Sequence, residues 1–343
     1  MPERRPRNLA IEPYIGHGTS SRLFLSGRVL QNLGIIRSAA TDSRWRNLRN
    51  TFRLFATREV SGVRVRARYG DLQTTSVTDA EGYFWSEFNL REPMAAGPWE
   101  RVEVDIEEPN RSDPVAADVL IPPERARFGV VSDIDDTVVA TNVTSTFRML
   151  TTVLLSNAHA RMPFEGIAAF YLALMRGASG GEGNPIFYVS NGPWNFHGLL
   201  VEFFKLNRIP LGPIFLRDFG AQVLFSSHSA QGDHKLARIG QILALYEPLP
   251  FVLIGDSGER DPEIYAEIVR RFPGRIRAIY IRSVDRRAQR LASIAALAET
   301  VRQTPTQFVL ASDSAEAAAH AAGEGLIDAR FVPLITSGAA PSL

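Results

Sequence analysis

Short apolar runs that recur between longer amphipathic segments constrain this chain most. Phe128–Ser132, Ile186–Val189, Ile214–Leu216, Phe251–Ile254 and Ile276–Ile281 each have the length of a strand and few polar residues. Between them, Phe164–Met175, Trp194–Leu206, His234–Leu245 and Pro262–Phe272 read as helices. Apolar strands separated by helices predict an α/β fold, a parallel sheet with helices on both faces. A last strand at Phe308–Ala311 and an Ala-rich helix at Ala315–Ala322, with Ser312 or Ser314 as N-cap, extend the pattern.

The first third reads differently. Val63, Val65, Ala67 and Tyr69 alternate with Arg64, Arg66 and Arg68, the period of two of a half-buried antiparallel strand. Ser21–Leu30, the turn and strand start at Thr78–Phe84, and Arg101–Ile106 add further strand signals, and together they predict a small β-sandwich. Ser43–Ala56 interrupts the pattern as a helix or a long loop. Pro122, Pro123 and the charged Glu124–Arg127 read as a linker. The expected organisation is a β-sandwich over 1–124, an α/β domain over 125–330 and a C-terminal tail over 331–343.

A chain of 343 residues has room for about two domains. It contains no cysteine, which excludes disulfides, thiolate zinc sites, iron–sulfur clusters and cysteine nucleophiles. No apolar run approaches the roughly 18 residues of a membrane span, and the Arg-rich N-terminus lacks an apolar signal core. The expectation is a cytoplasmic protein. A net charge of +1 gives the whole chain no polyelectrolyte character, although nine arginines face only Asp42 and Glu59 between Arg37 and Arg68.

In a parallel α/β sheet, ligands bind outside the carboxyl ends of the strands. The first strand ends in Asp133-Ile134-Asp135-Asp136-Thr137, the second in Ser190-Asn191-Gly192, the third in Arg217-Asp218 and the fourth in Gly255-Asp256-Ser257-Gly258-Glu259-Arg260-Asp261. Lys235 is expected to open the helix before the fourth strand, and only it and Lys205 are lysines among 38 basic residues. Carboxylates gathered on one rim repel one another unless a cation joins them. With oxygen ligands and no thiolate, a hard divalent ion is expected, Mg²⁺ above all.

Such an ion beside a carboxylate, a hydroxyl and a lysine suits phosphoryl transfer. Asp133 would attack phosphorus, and Asp135 would protonate the leaving oxygen and then take a proton from water. Lys235 would neutralise the nucleophile and the phosphoryl group. Asp133, Asp135, Asp256 and Asp261 are the candidate metal ligands. Thr137, Ser190, Asn191 and Arg217 are the candidate substrate-binding residues. Alone, each segment is an ordinary turn or helix start, and His234 beside Lys235 reads either as a substrate contact or as a helix-start histidine. The argument rests on their order and their common position at strand ends.

This four-part pattern resembles the haloacid dehalogenase (HAD) superfamily of aspartate-nucleophile phosphatases. More narrowly, Ser132–Thr137, Tyr188–Trp194, Leu216–Phe219 and Ile254–Tyr265 resemble the App1-type phosphatidate phosphatases. The narrower resemblance runs from Arg127 to about Ile327. It implies a Rossmann-like, HAD-type catalytic domain that converts phosphatidate to diacylglycerol with Mg²⁺, and it makes the main-chain carbonyl of Asp135 a metal ligand. Gly192 departs from the pattern, which calls for Ser or a similar residue beside the phosphate.

Two segments bear on a lipid substrate. Thr144–Ser156 carries Phe147, Met149, Leu150, Val153, Leu154 and Leu155, and reads either as a hood over acyl chains or as a helix packed on the core. The Arg37–Arg68 stretch, with Trp45, Phe52 and Phe55, reads either as a peripheral contact for anionic membranes or as a solvated sheet face. No nucleic-acid motif accompanies that charge. Two other functions stay open: a phosphatase of soluble phosphomonoesters or phosphoproteins, and a membrane- or partner-binding β-module on a dormant phosphatase fold.

Overall fold

The computed structural model describes residues 9–31, 60–93, 97–107, 113–134, 165–217 and 228–338, with only the backbone for 228–233. Ser43–Ala56, Thr144–Ser156, Asp135, Thr137, Asp218 and the arginines from Arg37 to Arg58 lie outside the described residues. The chain divides into two compact units, Met1–Pro122 with Asn195–Phe203, and Pro123–Trp194 with Phe204–Leu343.

The first unit is built from strands. They are β1 (Leu9–Pro13), β2 (Gly16–Gly18), β3 (Arg22–Gln31), β4 (Arg64–Tyr69), β5 (Leu72–Val77), β6 (Tyr83–Asn89), β7 (Trp99–Ile106) and β8 (Val115–Leu120). The alternating pattern forms the expected antiparallel strands, and they join into one hydrogen-bonded path in the order β1-β3-β2-β8-β7-β4-β5, with β6 also paired to β3. Three-residue β2 is the reason. It pairs antiparallel with β3 and parallel with β8, and so joins strands that would otherwise form separate layers. Glycine is required at that seam, because a Cβ on Gly16 would sit 2.6 Å from the carbonyl oxygen of Phe24.

Alternate residues fill one core, among them Leu23, Leu25, Val65, Ala67, Phe84, Phe88, Val104 and Val119. Outward, Arg64, Arg66 and Arg68 of β4 meet Glu107, Asp105 and Glu103 at 3.0, 2.8 and 3.1 Å. Opposite charges face each other across paired antiparallel strands, where side chains approach closely enough to interact. The described part of the basic stretch is therefore a neutralised ladder. Asn195 completes this unit by accepting hydrogen bonds from the Tyr83 hydroxyl at 2.8 Å and from Arg28 at 3.2 Å.

The second unit holds a six-stranded parallel sheet: β9 (Gly129–Ser132), β10 (Ile186–Pro193), β11 (Ile214–Arg217), β12 (Phe251–Asp256), β13 (Ile276–Arg282) and β14 (Gln307–Ala311). Numbered by appearance, its spatial order is 3-2-1-4-5-6. Every residue of β9 and β12 is buried, as a strand covered on both faces requires. The direction of strand addition reverses between β9 and β12, which creates a crevice at their carboxyl ends.

Helices α1 (Ile167–Arg176), α2 (His197–Leu206), α3 (His228–Leu245), α4 (Asp261–Arg271), α5 (Ala288–Val301), α6 (Ser314–Gly323) and α7 (Val332–Thr336), with short 3₁₀ turns at Trp194–Phe196 and Ala329–Phe331, complete the described elements. α4 shows why its sequence forms a helix. Pro262 sits at its first positions, acidic residues begin it, Arg270 and Arg271 end it, and Ile264, Tyr265, Ile268 and Val269 form its buried face. Several expectations need correction. Lys235 lies about two turns inside α3 rather than at its start. The N-cap of α6 is Asp313, whose side chain accepts from the Glu316 amide at 2.9 Å, where Ser312 or Ser314 was expected. α5 was not anticipated. The stretch expected as tail from residue 331 is instead helical over Val332–Thr336, with Ile335 buried. No helix among the described residues is long and apolar enough to cross a membrane.

Candidate active site

Asp133 leaves the end of β9 and Asp256 ends β12, the two strands that flank the reversal. Asp261 is the first residue of α4, five residues after Asp256. Oxygens of the Asp133, Asp256 and Asp261 carboxylates lie within 4.8 Å of one another, and all three residues are buried. Gly255 makes this approach possible. A Cβ there would fall 2.3 Å from Oδ2 of Asp261, so any larger residue would push that carboxylate away from the strand.

Hydrogen bonds hold the cluster rigid. Asp261 accepts from the Asp256 amide at 3.1 Å through Oδ2. Asp256 accepts from the amides of Gly258 at 2.6 Å and Glu259 at 3.0 Å through Oδ1, which folds the connecting loop tightly over it. Its Oδ2 is buried without a hydrogen-bond partner. An orphaned carboxylate oxygen facing two other carboxylates is the donor set a hard cation takes.

Lys235 is the counter-charge. Its Nζ stands 2.6 Å from Oδ1 of Asp261, 3.0 Å from Oδ1 of Asp133 and 3.3 Å from Oε2 of Glu259, with 1% of the residue exposed. Burial alone would lower its pKa, but Asp133, Asp261 and Glu259 outweigh that and hold the ammonium well above its ordinary value. Burial pushes the pKa of Asp256 upward, and the neighbouring Asp261 adds to the shift. Burial raises Asp261 as well, against the pull of Lys235. One ammonium among this many carboxylates leaves the site short of positive charge.

The other expected residues separate into distinct groups. Ser190 and Asn191 lie within β10, which runs on to Pro193 rather than stopping at Val189. The Ser190 hydroxyl accepts from the Gly192 amide at 2.9 Å, so the strand end turns about its own side chain. Arg217 is buried at the end of β11, in register with Pro193. The structure thus brings Asp133, Lys235, Asp256 and Asp261 together and places Ser190, Asn191 and Arg217 at neighbouring strand ends. Asp135 and Thr137 lie outside the described residues.

Glu259 was not anticipated as a site residue, although it stands in the same Gly255–Asp261 string. It reaches Lys235 and also accepts from the Asn191 amide group at 3.5 Å, linking two strand ends. Tyr171 was also missed. Its hydroxyl lies 2.7 Å from Ser132 Oγ, and that hydroxyl in turn donates to the Asp133 carbonyl at 2.8 Å. Arg290 of α5 donates through Nε to the Ser257 carbonyl at 2.8 Å, through Nη2 to the Glu259 carbonyl, and pairs with Glu263. No local motif could have revealed it, since it lies about 30 residues beyond the loop it holds.

Residues 128–283 match the family described as phosphatidate phosphatase APP1, catalytic domain. Phosphatidate phosphatase APP1 of Saccharomyces cerevisiae is 35% identical over 156 residues, 45% of this chain and 26% of that protein. An uncharacterized protein of Schizosaccharomyces pombe is 31% identical over 162 residues, 47% of this chain and 26% of that protein. The chain therefore spans about a quarter of the length of these curated relatives. A carbohydrate acetylesterase from Xanthomonas citri aligns over 86% of this chain and 66% of its own at 11% identity, and its TM-score of 0.29 is too low to inform the fold. Over residues 128–283, which hold every described residue of the candidate site except Arg290, the chain is similar to the APP1 phosphatidate phosphatase catalytic-domain family.

Proposed function

We propose that this protein is a Mg²⁺-dependent phosphatase that hydrolyses phosphatidate to diacylglycerol and phosphate through an aspartyl-phosphate on Asp133. The observation that carries the reading is the buried cluster of Asp133, Asp256 and Asp261 around Lys235 at the carboxyl rim, within the family-matched segment. The strand order 3-2-1-4-5-6 supports a Rossmann-like, HAD-type assignment of the domain.

In this reading Lys235, 3.0 Å from Oδ1 of Asp133, offsets the negative charge of the nucleophile and of the phosphoryl group. An Asp133 oxygen attacks phosphorus, the ester P–O bond breaks, and Asp135 gives its proton to the departing glycerol oxygen. Water then attacks the acyl phosphate, Asp135 takes the water proton, and phosphate leaves with the Asp133 carboxylate restored. Ser190 and the amides near Gly192 hold a phosphoryl oxygen. Asp133, Asp256 and Asp261, with Asp135, would hold Mg²⁺, which supplies charge neutralisation at the phosphoryl oxygens when bound.

Phosphate release from phosphatidate vesicles, with Mg²⁺ and with chelator, tests the reading. Release is expected only with Mg²⁺, and Asp133→Asn is expected to abolish it while the fold persists by circular dichroism. Release that is undiminished in Asp133→Asn would overturn the mechanism. Turnover of soluble phosphomonoesters far above vesicle-presented phosphatidate would replace the substrate.

A further inference from the structure

A second charged cluster lies beside the carboxylates and has no role in the chemistry above. Arg238 of α3 is half-buried, and its guanidinium lies 5.2 Å from the ring centre of Phe215 on β11. Its Nε is buried without a hydrogen-bond partner, and no carboxylate pairs with it among the described residues. Burial lowers its pKa with no opposing counter-charge. A cation taken out of water and left unpaired is costly, so such an arrangement points to an anion that completes it.

The geometry supplies its neighbours. Phe215 and Arg217 are two apart on a strand and share a face. His234 and Arg238 are four apart on a helix and share a face, about one turn from each other. Since α3 leads back to parallel strand β12, it runs antiparallel to the strands, and a step from Arg238 to His234 goes the same way as a step from Phe215 to Arg217. With Arg238 stacked over Phe215, His234 comes alongside Arg217 at the rim. His234 Nε2 is also buried without a partner. Burial first, then Arg238, Arg217 and Lys235, push its imidazole down to about 4, which agrees with this placement. The next residue, Lys235, turns to Asp133.

We infer that Arg217, His234 and Arg238 form a second oxyanion subsite next to the catalytic carboxylates, one that takes a tetrahedral phosphate-type group other than the one being hydrolysed. Two bidentate-capable guanidinium groups and a neutral imidazole that can donate from its ring nitrogen suit such a group. It has two sources, a further anionic group on the headgroup of a lipid phosphate that carries more than the single phosphate of phosphatidate, or free inorganic phosphate. Its position as a subsite for substrate rests on the phosphatase reading; its ability to bind an oxyanion does not.

The test is a titration of the full chain with inorganic phosphate in chelator, followed through the ring-nitrogen NMR signals of His234. Without a divalent ion, the three carboxylates around Lys235 repel phosphate from the catalytic position, so binding there does not compete. Saturable shifts of the His234 signals are expected. Arg238→Gln should weaken the affinity about tenfold, the effect of losing one charged hydrogen-bond donor, and Arg238→Lys should recover part of it. Circular dichroism of both variants separates lost binding from lost folding. If the parent shows no saturable shift, or if Arg238→Gln binds as the parent does, the subsite is wrong. In Mg²⁺, methylenediphosphonate binding tighter than methylphosphonate, with the advantage lost in Arg238→Gln, identifies a headgroup anion as the source; equal binding identifies free phosphate. Phosphatidate hydrolysis without Arg238-dependent phosphate binding would sink the subsite and leave the phosphatase reading intact. Arg238-dependent binding in a chain that hydrolyses no phosphoester would do the reverse.

Discussion

At the residue scale, Lys235 is a buried ammonium held among the carboxylates of Asp133, Glu259 and Asp261. Removing it would leave Asp133 and Asp261 buried without their counter-charge, the costly half of breaking a buried pair. Lys235→Met is therefore expected to lose about 3–5 kcal/mol of stability at neutral pH, read from urea unfolding. A variant as stable as the parent would mean that the ammonium does not hold these carboxylates. The rarity of lysine in this Arg-rich chain made Lys235 legible, and the Asp-rich strand ends made Asp133, Asp256 and Asp261 legible. Glu259 was not, because an exposed-looking acidic residue in a turn has no sequence mark that separates it from solvated ones. Only the fold of the loop over Asp256 carries its carboxylate to Lys235.

At the element scale, α5 acts on the site at a distance. Arg290 clamps the carbonyls of Ser257 and Glu259, and so fixes the loop that presents Asp256 and Glu259. Arg290→Ala is expected to raise the Mg²⁺ concentration for half-maximal phosphate release about tenfold, the scale of losing a supporting shell, while far-UV circular dichroism stays unchanged. An unaltered Mg²⁺ requirement would assign Arg290 to local packing alone. The strands of the second unit were readable because a strand buried on both faces is a continuous apolar run. α5 was harder: most of its residues are exposed or half-exposed, and only Ile294, Ala298 and Val301 are buried along its length. Such a helix announces itself weakly.

At the scale of the whole molecule, charge counted along the chain differs from charge presented in space. The arginines of β4 looked like part of a basic surface for anionic membranes, yet each of Arg64, Arg66 and Arg68 has a carboxylate on or beside β7. Sedimentation with anionic vesicles is accordingly expected to be the same for the parent and for Arg66→Gln/Arg68→Gln. Reduced pelleting of the double variant would show that these guanidinium groups are available to lipid after all.

The amino-acid order by itself determined the alternation of buried strands and helices and the delivery of carboxylates to strand ends, because side-chain periodicity and chain direction are local properties. Tertiary structure alone decided which strands became neighbours. That choice joined the first unit into one sheet through Gly16–Gly18, neutralised the β4 arginines against β7, and set Asp133 beside Asp256 at the reversal of strand order. Electrostatic and hydrogen-bond partners act over a few ångströms, and only pairing between distant segments brings them that close.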